Sequence, residues 1–124
     1  MMRPQRTTLF AGQETMMMTA YRPEVKAVLD DLLTPIPGVK VSKAFGYPAY
    51  KVNGRIFAFV GDNGMIFKLA PDRAESLRAA APFAPFSTGG KPWTGWVSLD
   101  LDDATEYAAF FDLLTESMTF VAES

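Results

Sequence analysis

Between Tyr50 and Lys68 the chain carries aromatic rings and cationic side chains at spacings that could form one binding surface. The set comprises Tyr50, Arg55, Phe57, Phe59 and Lys68. Rings that stack on bases and cations that meet phosphates are typical of surfaces that hold single-stranded nucleic acid. An apolar patch flanked by charge is more often a protein interface, above all that of a homodimer. Ordinary burial beneath loops or beneath the N-terminal segment is a third interpretation.

A second group of rings lies further along the chain. Trp93 and Trp96 flank Gly95 and follow Lys91. Two indole rings beside a cation could form a shelf for a small ligand or for a partner. Packing at a sheet edge would explain at least one of the rings equally simply. We therefore include both tryptophans among the candidate partner-binding residues.

Few residues in this sequence could support catalysis or bind a metal ion. The chain has neither cysteine nor histidine, which excludes thiolate nucleophiles, imidazole acid-base catalysis and zinc sites built from these residues. Asp100, Asp102 and Asp103 offer hard oxygen ligands, but their spacing does not match a calcium loop, and Asp103 suits a helix cap. We expect no catalytic residue, no bound metal, no cofactor and no enzymatic activity.

Length and composition predict one globular domain. The chain has 124 residues, of which 48% are hydrophobic and 21% are charged, proportions that are ordinary for globular proteins. No apolar stretch approaches the roughly 20 residues that span a bilayer, and the first residues lack the apolar core of a secretory signal. The expected location is the cytoplasm, and no membrane partner is expected. Residues 1–22 are predicted to be an N-terminal tail, followed by one domain over residues 23–124.

Charge is distributed unevenly along the chain. The net charge is −2, but residues 1–91 contain all 12 basic and 7 acidic side chains, whereas residues 92–124 contain 7 acidic and no basic ones. Such polarity can orient a partner or a second copy, although acidic runs are usually solvated surfaces. The overall negative charge disfavours, without excluding, a nucleic-acid partner.

Two Asn-Gly pairs predict how the central strands are joined. Asn53-Gly54 and Asn63-Gly64 suit type I′ hairpin turns, which need positive φ at both central residues. Strands are therefore predicted around Ala49, over residues 55–60 and over residues 65–69. The first of these begins near Val39 and is expected to bend or bulge at Gly46 and Pro48.

A two-residue turn at Asn53-Gly54 also predicts the register. It pairs Val52 with Arg55, Lys51 with Ile56, Tyr50 with Phe57 and Ala49 with Ala58. One face would then carry Tyr50, Val52, Arg55, Phe57 and Phe59, joined by Ile66 and Lys68. The opposite face, with Lys51, Ile56, Ala58, Val60, Met65, Phe67 and Leu69, is richer in aliphatic residues and is the predicted core.

The remaining segments complete an α+β domain. Pro23 starts a helix whose apolar positions recur through Leu32, and Pro71 starts a second. Prolines place residues 83–88 at a sheet edge, residues 96–101 alternate as a half-buried strand, and Asp103 with Glu106 forms a capping box for the last helix. The order α-β-β-β-α-β-β-α predicts two layers, with helices on a mainly antiparallel five-stranded sheet.

The segment 43–58, KAFGYPAYKVNGRIFA, resembles the opening hairpin of the TfoX N-terminal domain family. The resemblance continues through Phe67-Lys68-Leu69, the helix start at Pro71-Asp72, Pro85-Phe86, Gly90-Lys91-Pro92 and Trp96-Val97, and covers about residues 24–120. It implies a two-layer α+β fold similar to YjbR-like and secretion-chaperone-like domains. It also implies a link to the regulation of competence genes, but it supplies no catalytic residues.

Together these observations predict a non-enzymatic interaction or regulatory module that associates with itself through an aromatic sheet face. The predicted contact residues are Tyr50, Arg55, Phe57, Phe59, Lys68, Trp93 and Trp96. A nucleic-acid-binding regulator of transcription or competence is the alternative.

Overall fold

Two tight hairpins organise the first half of the sheet in the computed structural model, which describes residues 21–124. Asn53 and Gly54 have φ values of 52° and 77°, as a type I′ turn requires, so this predicted reversal is confirmed. Phe45 and Gly46 make another reversal, with φ values of 57° and 84°. Phenylalanine rarely adopts positive φ, which is why the sequence predicted a bend here rather than a turn.

The extra hairpin gives the sheet six strands rather than the predicted five, and the α+β class is confirmed. The elements are α1 (Pro23–Leu33), β1 (Val39–Ala44), β2 (Tyr47–Val52), β3 (Arg55–Val60), β4 (Met65–Lys68), α2 (Pro71–Arg78), β5 (Phe83–Thr88), β6 (Lys91–Leu99), a 3₁₀ helix (Ala104–Phe110) and α3 (Phe111–Ala122). The strand order is β1-β2-β3-β4-β6-β5, with antiparallel pairing throughout. The predicted tail lies outside the described residues, apart from Tyr21 and Arg22.

The second Asn-Gly pair sits in a longer loop than predicted. Val60 pairs with Met65, so residues 61–64 form a four-residue connection, which the Gly61 amide closes by donating to the Gly64 carbonyl oxygen at 2.8 Å. The two-residue turn predicted at Asn63-Gly64 is therefore wrong. The pairing of β3 with β4 is shifted by two residues from the predicted register. Because side chains alternate with period two, Ile66 stays on the predicted face.

A β-bulge changes the predicted pairing of β2 with β3. Lys51 lies opposite Ile56 as predicted, but Tyr50 lies opposite Ala58 and Ala49 opposite Phe59. Phe57 is the extra residue, and both Phe57 and Ala58 pack in the main core. A bulge inserts one residue and so reverses the alternation beyond it. Phe59 consequently lies on the face opposite to Phe57, contrary to the prediction.

The helices cover the face of the sheet that carries Phe57. The main core joins buried residues of α1, α2 and α3 to the strands. Tyr50, also on this face, donates from its hydroxyl to Asp30 Oδ1 of α1 at 2.7 Å. Ser117 of α3, fully buried, donates to the Phe57 carbonyl oxygen at 3.0 Å. The bulge is therefore fixed by a hydrogen bond from the helix layer.

The remaining elements are present as predicted, but two of them begin at other residues. β5, which contains Pro85, is an edge strand as predicted. β6 starts at Lys91, earlier than the predicted Trp96. Asp103 caps the 3₁₀ helix by accepting from the Thr105 amide, and α3 starts only at Phe111. Within residues 21–124, no helix has the length and apolar character needed to cross a membrane.

Replacing Ser117 with alanine tests the role of the bulge contact. We expect Ser117→Ala to lower the free energy of unfolding by about 1–3 kcal/mol, because the buried Phe57 carbonyl loses its side-chain donor. Urea unfolding followed by circular dichroism measures the change. Thr115→Ala is the control, because the Thr115 hydroxyl bonds Asp112 at the exposed surface of the same helix. Equal losses in the two variants would contradict a special role for Ser117.

Gly64 is expected to tolerate no side chain. An added Cβ would lie 2.5 Å from the Tyr107 hydroxyl oxygen and would also meet the carbonyl oxygen of Leu99. Gly64→Ala should therefore lower the free energy of unfolding by about 1–3 kcal/mol through overpacking. In the control, Gly61→Ala, the new Cβ meets the flexible end of the Ile66 side chain. A chemical denaturation series in which Gly64→Ala is no less stable than Gly61→Ala would show that the loop has room.

Candidate interaction surface on the distal face of the sheet

The side chains of interest lie on the sheet face turned away from the helices, here called the distal face. Strand alternation brings rings from three hairpins together there. We call the set the aromatic cluster: Phe45, Tyr47, Phe59, Phe86, Trp93 and Trp96. Four of these rings, those of Tyr47, Phe59, Phe86 and Trp96, belong to a second apolar cluster that is separate from the main core and also contains Ala49 and Ile66.

Phe59 is the centre of the aromatic cluster. Its ring centroid lies 5.7 Å from that of Phe45, 5.5 Å from that of Phe86 and 5.6 Å from that of Trp96. These separations are typical of favourable tilted and edge-to-face pairs. Phe59 is 0% exposed, so its neighbours, rather than the helices, remove it from water.

The tips of two hairpins meet above Phe59. The rings of Phe45, in the β1–β2 turn, and Trp93, on β6, lie 5.2 Å apart between centroids in an edge-to-face arrangement. Trp93 Nε1 donates to the Thr88 hydroxyl at 3.1 Å, which orients the indole. Phe45 remains 63% exposed. A large apolar side chain is thus presented to solvent by a turn with a fixed backbone.

The structure separates the predicted contact residues into two groups. Phe59, Lys68, Trp93 and Trp96 come together on the distal face. Tyr50 and Phe57 do not: both are buried in the main core beneath the helices, so the prediction that they face a partner is wrong. The bulge in β3 is the reason. Phe59, although on the distal face, is also buried rather than exposed.

Arg55 is a further correction. It pairs with Val52 of the main core, and its guanidinium donates to the carbonyl oxygen of Ser124 beyond α3. The cation is therefore on the helix side, where it ties the hairpin to the C-terminal segment. Sequence reasoning missed Phe45, Tyr47 and Phe86 as members of the cluster. The sequence offered one indication that they belong to this surface: they lie in segments predicted to form a bend or an edge strand, where a ring is less often covered on both sides.

The buried environment of Tyr50 identifies it as a structural residue. Burial, followed by the hydrogen bond to Asp30, raises the pKa of Tyr50 far above its ordinary value. Asp30 is also paired with Lys26 Nζ at 2.6 Å. The hydroxyl therefore stays protonated and serves to fasten α1 to β2.

Three lysines mark one end of the distal face. Lys40 and Lys51 lie directly opposite each other on β1 and β2. Lys51 pairs with Ile56, which packs with Phe59 on the distal face. Lys68 Nζ lies 5.8 Å from the ring centroid of Trp96, within cation–π range. Among the described residues, none of the ion pairs includes these lysines. We call Lys40, Lys51 and Lys68 the basic end.

The other end of the distal face contains an acidic cavity of about 270 Å³. Asp62 and Asp100 supply carboxylates to its lining, while Tyr47, Ile66 and Phe86 supply walls shared with the aromatic cluster. The Tyr47 hydroxyl donates to Asp62 Oδ1 at 2.8 Å. Burial, and then this hydrogen bond, raise the pKa of Tyr47. The described lining residues include no cation.

Arg22 holds the loops that frame the acidic cavity. Its guanidinium donates to the carbonyl oxygens of Asn63 at 2.9 Å, Leu101 at 2.6 Å and Asp102 at 2.8 Å. One side chain thus joins the β3–β4 loop to the segment after β6. These three hydrogen bonds hold the two segments of the rim together.

The remaining acidic residues of the C-terminal segment are mostly on the helix side. Asp112, Glu116 and Glu123 line a groove beside α3, and Glu116 is paired with Arg73. These carboxylates of the C-terminal segment therefore lie on the helix side, next to cations such as Arg73. The basic end of the distal face lies apart from most of the acidic groups, so the net charge of −2 does not describe this surface.

Chemically, this arrangement offers groups that can bind a partner. Rings offer apolar area, the basic end can meet anions, and the acidic cavity can meet an ammonium or guanidinium group. Asp103, one of the three carboxylates considered as metal ligands, is engaged as a helix cap.

Comparison with solved structures supports the fold. The crystal structure of Deinococcus radiodurans protein DR2400, which has a DUF419 domain, matches with a TM-score of 0.56 and 24% sequence identity. The match covers 72% of this chain and 72% of that chain. At this identity it shows the fold alone. No curated protein matches the sequence.

Comparison with protein families identifies the chain more directly. The predicted similarity to YjbR-like domains is confirmed, while membership of the TfoX N-terminal family stays a prediction. The YjbR family model matches residues 35–118, which is more than half of the chain and spans the sheet from before β1 into α3. The chain belongs to the YjbR family.

Proposed function

We propose that the chain is a non-enzymatic protein-interaction module that associates with a second copy of itself through the distal face. The observation that carries the proposal is the exposure of Phe45, at 63%, on top of an aromatic cluster. Fully burying a phenylalanine side chain contributes about 1.5–3 kcal/mol. A second copy that covers this ring would gain part of that free energy.

The anatomy of the distal face suits such an interface. Protein interfaces are enriched in tryptophan, tyrosine and phenylalanine at their centre and have charged residues at the rim. Here the rings of Phe45 and Trp93 are central, and the basic end and the acidic cavity lie to either side. A two-fold dimer presents the same patch from both copies, so the exposed ring of each copy would be covered at once.

We further propose a regulatory role, which rests on the resemblance of residues 43–58 to the TfoX N-terminal domain. Residues 45–46 and 53–54 of that segment form the two hairpin turns, and one of these turns presents Phe45. If the domain dimerises through Phe45, the dimer covers the distal face. Dimerisation would then control whether another partner can reach that face.

Replacing Phe45 with aspartate tests the self-association. We expect Phe45→Asp to raise the dimer dissociation constant at least about 30-fold, the effect of losing a contact worth about 2 kcal/mol. Sedimentation equilibrium over a range of concentrations measures it. Val41→Asp is the matched control, since Val41 is 51% exposed but lies on β1 opposite Tyr50 of the main core.

Two results would contradict the proposal. The first is a wild-type protein that remains monomeric up to millimolar concentration. The second is an equal loss of dimer in the Phe45→Asp and Val41→Asp variants, which would place the interface elsewhere.

Single-stranded nucleic acid is a second candidate partner, favoured by the basic end. Like charges directly opposite on neighbouring strands destabilise a sheet, yet Lys40 faces Lys51, and Lys68 lies over Trp96. A phosphate backbone would offset the repulsion, and Trp93 or Phe45 could stack on bases. The carboxylates of the helix layer would face away from such a strand.

The test for nucleic acid uses the lysines of the basic end. If the strand binds there, the double variant Lys51→Gln, Lys68→Gln should weaken binding of a fluorescent oligonucleotide and reduce the salt slope by about 0.7 per lost phosphate contact. Lys43→Gln is the control, because Lys43 is exposed and, by strand alternation, points to the other face of β1. Anisotropy at low salt that detects no binding by the wild type would exclude this partner.

A further inference from the structure

The charges on the distal face have opposite signs at its two ends. β4 runs from Met65, beside the loop that holds Asp62, to Lys68 at the basic end. Three residues of strand separate these positions by about 10 Å. On β6, Trp96 faces Lys68, and Asp100 follows four residues later, about 13 Å away. Lys68 thus stands about 10–13 Å along the strands from the positions of Asp62 and Asp100, and its ammonium group lies over Trp96.

Two kinds of two-fold axis could relate distal faces in a face-to-face dimer. An axis parallel to the strands would lay the basic end of one copy on the basic end of the other. An axis across the strands would instead keep β4 over β4 and exchange the ends. Like charges brought together oppose association, and opposite charges favour it. The charge distribution therefore selects the axis across the strands.

We propose that each copy places Lys68 in the acidic cavity of the other, between Asp62 and Asp100. This arrangement rests on the self-association proposed above and gives it an orientation. The cavity, of about 270 Å³, has carboxylates for an ammonium group and the rings of Tyr47 and Phe86 for the aliphatic part of the side chain. The two contacts are reciprocal, as a two-fold interface requires.

Lys68 is suited to this role by its position on the fold. It stands on a central strand and is positioned over Trp96, so the same contact would bring the aromatic clusters of the two copies together. Lys40 and Lys51, on β1 and β2, lie further from the line that joins β4 to the acidic cavity. They would extend the attraction at the rim.

Charge reversal tests the proposal with two single variants. Asp100→Lys would oppose Lys68 of the second copy, and Lys68→Glu would oppose Asp62 and Asp100. Each variant alone should raise the dimer dissociation constant about tenfold or more. Glu75→Lys, on the exposed side of α2, and Lys43→Glu are controls that change charge equally and should leave dimerisation unchanged. Circular dichroism verifies that every variant is folded.

Mixing the two variants provides the decisive measurement. In a heterodimer of Asp100→Lys with Lys68→Glu, one contact keeps the wild-type charges and the other balances attraction against the remaining Asp62, so we expect an equimolar mixture to associate about tenfold more tightly than either variant alone. Differently tagged copies, followed by fluorescence energy transfer, report the heterodimer directly.

The possible failures are distinguishable. If both charge-reversal variants dimerise normally while Phe45→Asp does not, or if the mixture fails to restore association, the pairing of Lys68 with the acidic cavity is overturned and the aromatic interface stands. If the wild type is monomeric, the proposed self-association falls and the orientation falls with it.

Discussion

The hydrogen bond from the buried Ser117 hydroxyl to the Phe57 carbonyl oxygen joins α3 to the bulge in the centre of the sheet. A bulge puts one residue out of the pairing pattern and leaves backbone groups that need other partners. Here the helix layer supplies one. Because the bulge is held there, Phe57 packs under the helices while Phe59, two residues later, packs on the distal face. One strand thereby places a large ring on each face of the sheet.

The second apolar cluster follows from that division. Phe59 would leave a broad apolar surface in water if its neighbours did not cover it, and the hairpin tips that carry Phe45 and Trp93 do so. Phe59 is therefore buried, and Phe45, which covers it, is exposed to solvent instead. The distal face therefore contributes to the stability of the fold and also exposes apolar area to solvent. Substitutions there can affect folding and association differently. Phe45 is suited to separate these effects because it is at the outer side of the cluster.

Local patterns in the sequence predicted the parts of the fold that depend on local chemistry. Asn53-Gly54 forms its turn, Pro23 and Pro71 start helices, and Pro85 lies on an edge strand. The bulge could not be predicted, because an extra residue at Phe57 is favoured by a contact with Ser117, 60 residues away in sequence. That single displacement moved Tyr50 and Phe57 from the expected binding surface into the core. Phe59 and Lys68 lie on the predicted uncovered face all the same, because the residues from Ala58 onward keep their predicted relation to the core. Trp93 and Trp96, predicted as a separate shelf, join them there.

Electrostatics shows why whole-chain properties poorly describe this surface. The acidic C-terminal segment folds largely into the helix layer, whereas Lys40, Lys51 and Lys68 belong to strands. Surface charges separated by more than about 8–10 Å are strongly screened at physiological salt, so a partner at the distal face responds to the local ends more than to the net charge. Asp62 and Asp100 are exceptions among these acids, because they lie at the ends of strands β3 and β6, beside the rings. The distal face thus has rings between a basic end and an acidic end. A partner that binds there would be oriented by the two charges as well as held by the rings.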